Sequence, residues 1–138
     1  MIRRTCGPCT VCCTLQGVKE GLSIPKPAGV QCPHVRKTGC SIYEKRPTEC
    51  QEFACLWLQG LGEVWDRPDL LGVMFEVQDR VEVPFILART LARGREKGSR
   101  VRDLVKQLRF LTGLPVGARH PDQETGEWYV KADVEILE

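Results

Sequence analysis

The chain has 138 residues, 42% of them hydrophobic and 28% charged, with a formal net charge of +2. That length suits one domain, residues 1–138, and that composition suits an ordinary globular protein rather than a disordered or fibrous one. No stretch approaches the roughly 20 apolar residues of a membrane span, and no basic stripe argues for nucleic acid.

Residues 1–60 are poor in periodic pattern and hold every cysteine: Cys6, Cys9, Cys12, Cys13, Cys32, Cys40, Cys50 and Cys55. The leading residues, Met1 to Thr5, contain no apolar run of the signal-peptide kind, so the expected location is cytoplasmic, where thiols stay reduced. A disulfide framework or thiol redox chemistry is therefore secondary to metal binding, and metal must supply much of the order here. Residues 21–29, with Pro25 and Pro27, read as an extended loop. A helix is expected from Pro47 through Glu49, Cys50, Phe53 and Leu56, ended by Gly60 and Gly62.

The remainder, residues 70–138, reads as a small α+β unit. Strands are expected over Leu71–Val77 and Val81–Leu87, with the turn at residues 78–80; Pro84 would put the second strand at an edge or a bulge. Ser99 is the candidate N-cap of a helix carrying Val101, Leu104, Val105, Leu108 and Leu111 on one face and stopped by Gly113. Residues 114–119 and 127–131 suggest a hairpin, and Val134, Ile136 and Leu137 a last short strand. The expected fold class is α+β: an irregular, metal-bound cysteine-rich part packed on a small antiparallel sheet with one or two helices, the two parts sharing a core.

Cys6-x2-Cys9 lets two thiolates approach one ion, and Gly7-Pro8 between them favours a tight knuckle. A second x2 spacing follows at Cys12, a run that also suits the corners of an iron–sulfur cube, with Cys32-Pro33 as the downstream partner. Cys12 and Cys13 diverge as neighbours and so belong to different ions or to different corners of one assembly. Cys50 and Cys55 in one unbroken helix would sit roughly 140° apart, so the helix breaks or they face different sites. Eight thiolates suffice for about two closed tetrathiolate zinc sites. Spacing suggests Cys6, Cys9, Cys12 and Cys32 for one, with Cys13, Cys40, Cys50 and Cys55 for the other. Eight ligating thiolates add eight negative charges and two divalent ions return four, which brings the loaded chain to about −2 and removes any argument from basicity.

His34 is a candidate ninth ligand, although a loop histidine bonded to backbone is the commoner case. His120, in a polar turn before Pro121, is not expected to bind metal. Arg46 and Arg67 stand near the cysteines and can offset anionic sulfur. Tyr43, Phe53, Trp57 and Trp65 read as packing around the centre, and Glu63, Asp66, Asp69 and Glu76 as solvated surface.

The box Cys6-x2-Cys9-x2-Cys12-Cys13, then Cys32-Pro33, then Cys40-Ser41-Ile42-Tyr43 through Arg46-Pro47-Thr48-Glu49-Cys50, closely resembles the YkgJ-type cysteine-cluster family. The resemblance covers residues 6–55 and implies zinc or iron chelation by the cysteines; a similar box occurs in flagellin lysine methylases. It supplies no reaction, and residues 70–138 match only loosely. The chain lacks a phosphate-binding glycine loop, a Gly-x-Ser-x-Gly elbow and an H-E-x-x-H helix, so an enzymatic role stays open without candidate catalytic residues. Structural zinc and an iron–sulfur cluster with an electron-transfer or enzyme-accessory role are the two main readings. An unidentified protein partner is compatible with either.

Overall fold

The computed structural model describes residues 4–15, 18, 20–22, 25–27, 29–79, 82–123 and 134–138. In chain order its elements are α1 (Val11–Leu15), β1 (Val35–Arg36), β2 (Gly39–Cys40), α2 (Thr48–Glu52), α3 (Pro68–Leu71), β3 (Val73–Gln78), β4 (Phe85–Thr90), α4 (Ser99–Thr112), β5 (Val116–Arg119) and β6 (Glu135–Leu137). The architecture is α+β. β1 and β2 form a two-stranded antiparallel hairpin inside the cysteine-rich part, and β3-β4-β5-β6 form a four-stranded sheet. The outer pairs of that sheet are antiparallel, and β4 runs parallel to β5. The parallel pair requires a crossover, which α4 provides.

The pleat divides the sheet between two partners. Val73, Phe75, Ile86, Ala88 and Val116 pack against Val101, Leu104, Val105 and Leu108 of α4. Met74 points the other way and joins Val11, Leu15, Cys55 and Trp57, with Cys9, Cys12, Phe53 and Leu91 around them. A strand covered on both faces has no polar side to alternate, and all six residues of β4 are buried. Pro84 precedes this strand, which is internal, so the proline marks neither an edge nor a bulge.

Two charged residues lie under the same layer as Met74. Arg89 of β4 is 5% exposed and Glu76 of β3 is 4% exposed, with 3.5 Å between Arg89 Nη1 and Glu76 Oε1. Arg89 Nη2 donates to the Leu15 carbonyl at the end of α1 (2.7 Å), and Gln78 Nε2 donates to Glu76 Oε1 (2.9 Å). Glu76 is thus a buried ion-pair partner and not a surface acid.

The helix expected from Pro47 to Leu56 stops at Glu52. Its continuation is diverted because the Leu56 amide donates to the Phe75 carbonyl at the edge of β3 (2.8 Å), a bond a helical Leu56 would forgo. Helix α4 and its stop at Gly113 (φ +70°) match expectation, but its N-cap is Gly98, without a side-chain cap, and Leu111 is 66% exposed. Leu71 ends α3, and β6 forms where the last strand was expected. Residues 127–131, the proposed partner of a hairpin, lie outside the described residues. Among the described residues no helix is long and apolar enough to cross a membrane.

The segment after α2 is tied down by ionic contacts. Arg4 donates to the carbonyls of Trp57, Leu61 and Gly62 and stacks 4.9 Å from the Trp57 ring. Asp66, 3% exposed, accepts two hydrogen bonds from Arg100 of α4 (2.8 and 2.6 Å) and one from the Glu63 amide (2.8 Å). The Arg100 bonds hold the Asp66 carboxyl below its usual range, against the opposing effect of burial. A depressed folded pKa contributes stability above the unfolded value near ~3.9, and that stability is lost as pH falls through the folded pKa. Asp66→Asn should cost about 2 kcal/mol at pH 7, trimmed because the Arg100 flank is open to water. The gap in melting temperature between variant and wild type should narrow at pH 3; a constant gap would mean the charge is not what matters.

Candidate metal centre

All eight cysteines are free thiols within the described residues, seven partly buried and Cys55 buried. Helix α1 follows directly on the first knuckle, where the Cys9 amide donates to the Cys6 carbonyl (2.9 Å) and Gly7 adopts φ +53°. Gly39, at φ +122°, lies so close to this knuckle that a Cβ there would stand 2.1 Å from the Gly7 carbonyl oxygen. Only glycine permits that approach, which brings the β1–β2 hairpin and Cys40 up to the Cys6–Cys9 turn.

Three sulfurs share one local feature. Backbone amides just downstream favour the thiolate at each: Val11 for Cys9, Ile42 for Cys40, and Leu58 then Trp57 for Cys55. Amides aimed at sulfur favour the thiolate. Burial acts in the opposite sense and prevails in the metal-free protein: it pushes Cys9 up to about 11 and raises Cys6, Cys40, Cys50 and Cys55. Cys12 and Cys13 do not diverge as their adjacency suggests but interact through their side chains. The Cys12 thiol donates to Cys13, which raises Cys12 strongly and lowers Cys13 to about 7, with Lys26 and Arg46 assisting the latter.

Two sulfur neighbourhoods adjoin each other, since Cys12 and Cys13 interact directly and the charges of Cys13 and Cys40 raise Cys6. Cys9, Cys12 and Cys55 pack in the apolar cluster with Trp57 and Met74, and Cys6 lies close enough for its charge to raise both Cys12 and Cys55. Cys13 and Cys32 are joined through backbone, Cys32 N–H to the Cys13 carbonyl (2.9 Å), and the charges of both raise Cys40 and Cys50. Cys32 thus lies beside Cys13, and Cys55 in the cluster with Cys9 and Cys12, whereas spacing groups Cys32 with Cys6, Cys9 and Cys12 and groups Cys55 with Cys13, Cys40 and Cys50. Helix α2 ends at Glu52, so Cys50 lies within it and Cys55 beyond it.

Cations attend the second neighbourhood. Lys26 is 6% exposed and donates to the carbonyls of Thr14 (3.2 Å) and Pro27 (2.9 Å), and also to that of Val30. Sequence reasoning missed it, since a lysine between two prolines carries no signal of burial. Arg46 stacks 4.0 Å over Tyr43, and its buried Nε–H has no hydrogen-bond partner among the described residues. Its charge lowers Cys6, Cys13, Cys40 and Cys50, so a thiolate sulfur is the natural acceptor for that orphaned donor. Arg67 instead pairs with Asp69, which hydrogen-bonds Cys9. Trp57 and Phe53 pack as expected, but Trp65 is 62% exposed.

The donor set, eight free thiols with Lys26 and Arg46 nearby, has the chemistry of a thiophilic metal site. Among the described residues, three donor atoms lying within 4.8 Å of one another occur at Glu96, His120 and Glu135 and not among the thiols, so loading requires the sulfurs to draw together. His34 is half-buried in the turn before β1, where its carbonyl accepts from the Ser41 amide (2.8 Å). No family model matches the chain, and no curated protein or solved structure matches it.

Proposed function

We propose that the cysteine-rich part binds two zinc ions through its eight thiolates and that these ions stabilise the fold. Cys6, Cys9, Cys12 and Cys55 form one ligand set, and Cys13, Cys32, Cys40 and Cys50 the other. The observation that carries the reading is the gathering of all eight cysteines in one part of the fold, where downstream backbone amides at Cys9, Cys40 and Cys55 favour the charged sulfur that burial opposes. The motif likeness to the YkgJ-type family supports it as well. Bound zinc would supply the positive charge that lets clustered thiolates persist, and a closed tetrathiolate site leaves no position for substrate. Arg46 and Lys26 serve as fixed countercharges on the Cys13 side.

Anaerobically prepared protein should contain about two zinc ions per chain. Cys32→Ser combined with Cys50→Ser should leave one ion in place, because both act on the same set. Cys50→Ser combined with Cys55→Ser should lose both. The reverse pattern would reject this grouping while keeping the metal, and iron with acid-labile sulfide would replace zinc by an iron–sulfur cluster.

A further inference from the structure

His120 lies at the end of β5 on the α4 side of the sheet, 1% exposed, and not in an open polar turn. Its Nδ1 is 2.8 Å from Thr90 Oγ1, a hydroxyl on a fully buried residue, and that bond sets the ring's orientation. Its Nε2 is 3.4 Å from Glu135 Oε2 of β6. Glu96, in the 3-10 turn Arg95–Lys97, is 7% exposed and brings Oε2 to 3.9 Å from Nδ1, while the Gly94 amide donates to both its oxygens (2.9 and 3.2 Å). One donor atom from each of the three residues lies within 4.8 Å of the other two.

We propose that Glu96, His120 and Glu135 form a second kind of metal site, for a borderline divalent ion of the Mn2+, Fe2+ or Zn2+ class, separate from the cysteines. Three arguments converge. One nitrogen and carboxylate oxygens suit that class and not the soft ions that thiolates select. Two ligands at ~2.1 Å on a tetrahedral ion stand roughly 3.4 Å apart, which is the Nε2–Oε2 separation. A hydroxyl bonded to the other ring nitrogen is the arrangement that orients a ligating histidine.

Charge points the same way. Glu96, Glu135 and Asp122 bring three negative charges, and Arg93, which feels all three, already makes two hydrogen bonds with Asp122 (3.0 and 2.7 Å). Part of the remaining negative charge sits on the buried Glu96 carboxylate. One divalent cation balances it. Glu135 is the exposed member, its side chain 60% accessible, and it opens the site to entering ions.

The test uses the full chain, dialysed against citrate to clear weakly held ions while the thiol centres stay loaded. Mn2+ is added and the unbound ion is followed by electron paramagnetic resonance, with Co2+ as a second probe read by its visible bands. Wild type should bind one Mn2+ or Co2+ without sulfur-to-metal charge transfer, and its melting temperature should rise. Glu135→Gln should weaken binding at least ~10-fold and leave the metal-free melting temperature unchanged, since the side chain is mostly exposed. Cys50→Ser should retain this site. Failure of both ions to bind wild type, or equal binding by Glu135→Gln, overturns the proposal. Loss of this site with the Cys50 variant would also overturn it, because the site would then depend on the thiols.

Discussion

Arg89→Ala should destabilise the protein by about 3–5 kcal/mol, the loss expected when one partner of a buried ion pair is removed. Glu76 would lose the Arg89 cation inside the layer, and the Leu15 carbonyl would lose its donor. Domains of this size are stable by only about 5–15 kcal/mol, so the urea midpoint should fall by a large fraction. Arg89→Met combined with Glu76→Leu should recover part of the loss, since two apolar side chains need no countercharge. A loss below about 1 kcal/mol for Arg89→Ala would mean the pair behaves like an exposed one.

Residues 69–138 expressed alone should fail to melt cooperatively. That fragment keeps α4 over one face of the sheet but strips the other of Val11, Leu15 and Trp57, leaving Met74 and Leu91 without cover. It also frees the Phe75 carbonyl from Leu56 and removes Leu56 and Leu61 from the α4-side core. A monomer with a sharp calorimetric transition would show instead that the sheet and α4 are self-sufficient.

What could be read from the sequence was local. The apolar stripe Val101, Leu104, Val105 and Leu108 and the stop at Gly113 define α4 without reference to anything else. The β3–β4 hairpin was legible as two apolar runs near a turn, although its strands begin later than their periodicity implies. The parallel β4–β5 pair was not, because periodicity names strands and not their neighbours. Asp66, Glu76 and His120 read as surface because composition cannot show which charges will meet Arg100, Arg89 and Thr90 across 34, 13 and 30 residues.

In the cysteine part the thiols themselves were legible and their grouping was not. Spacing leaves open whether the helix breaks between Cys50 and Cys55; α2 ends at Glu52, the Leu56 amide bonds the Phe75 carbonyl, and Cys55 packs in the cluster with Cys9 and Cys12. Burial of Lys26 beside Cys13 and Cys32 left no trace in its neighbours' identities.

The apolar cluster that joins Cys9, Cys12 and Cys55 to Met74 and Leu91 also has a consequence for biosynthesis. A ribosome delivers all eight cysteines before it makes β4. The 36 residues from Cys55 to Leu91 take about 2–7 s at typical translation speeds. For that interval the nascent thiols lack the wall that later shields them, and they stand open to oxidants, to wrong partners and to incoming metal. Metal captured during that window would gather the cysteine segment early and give the emerging sheet a surface on which to close.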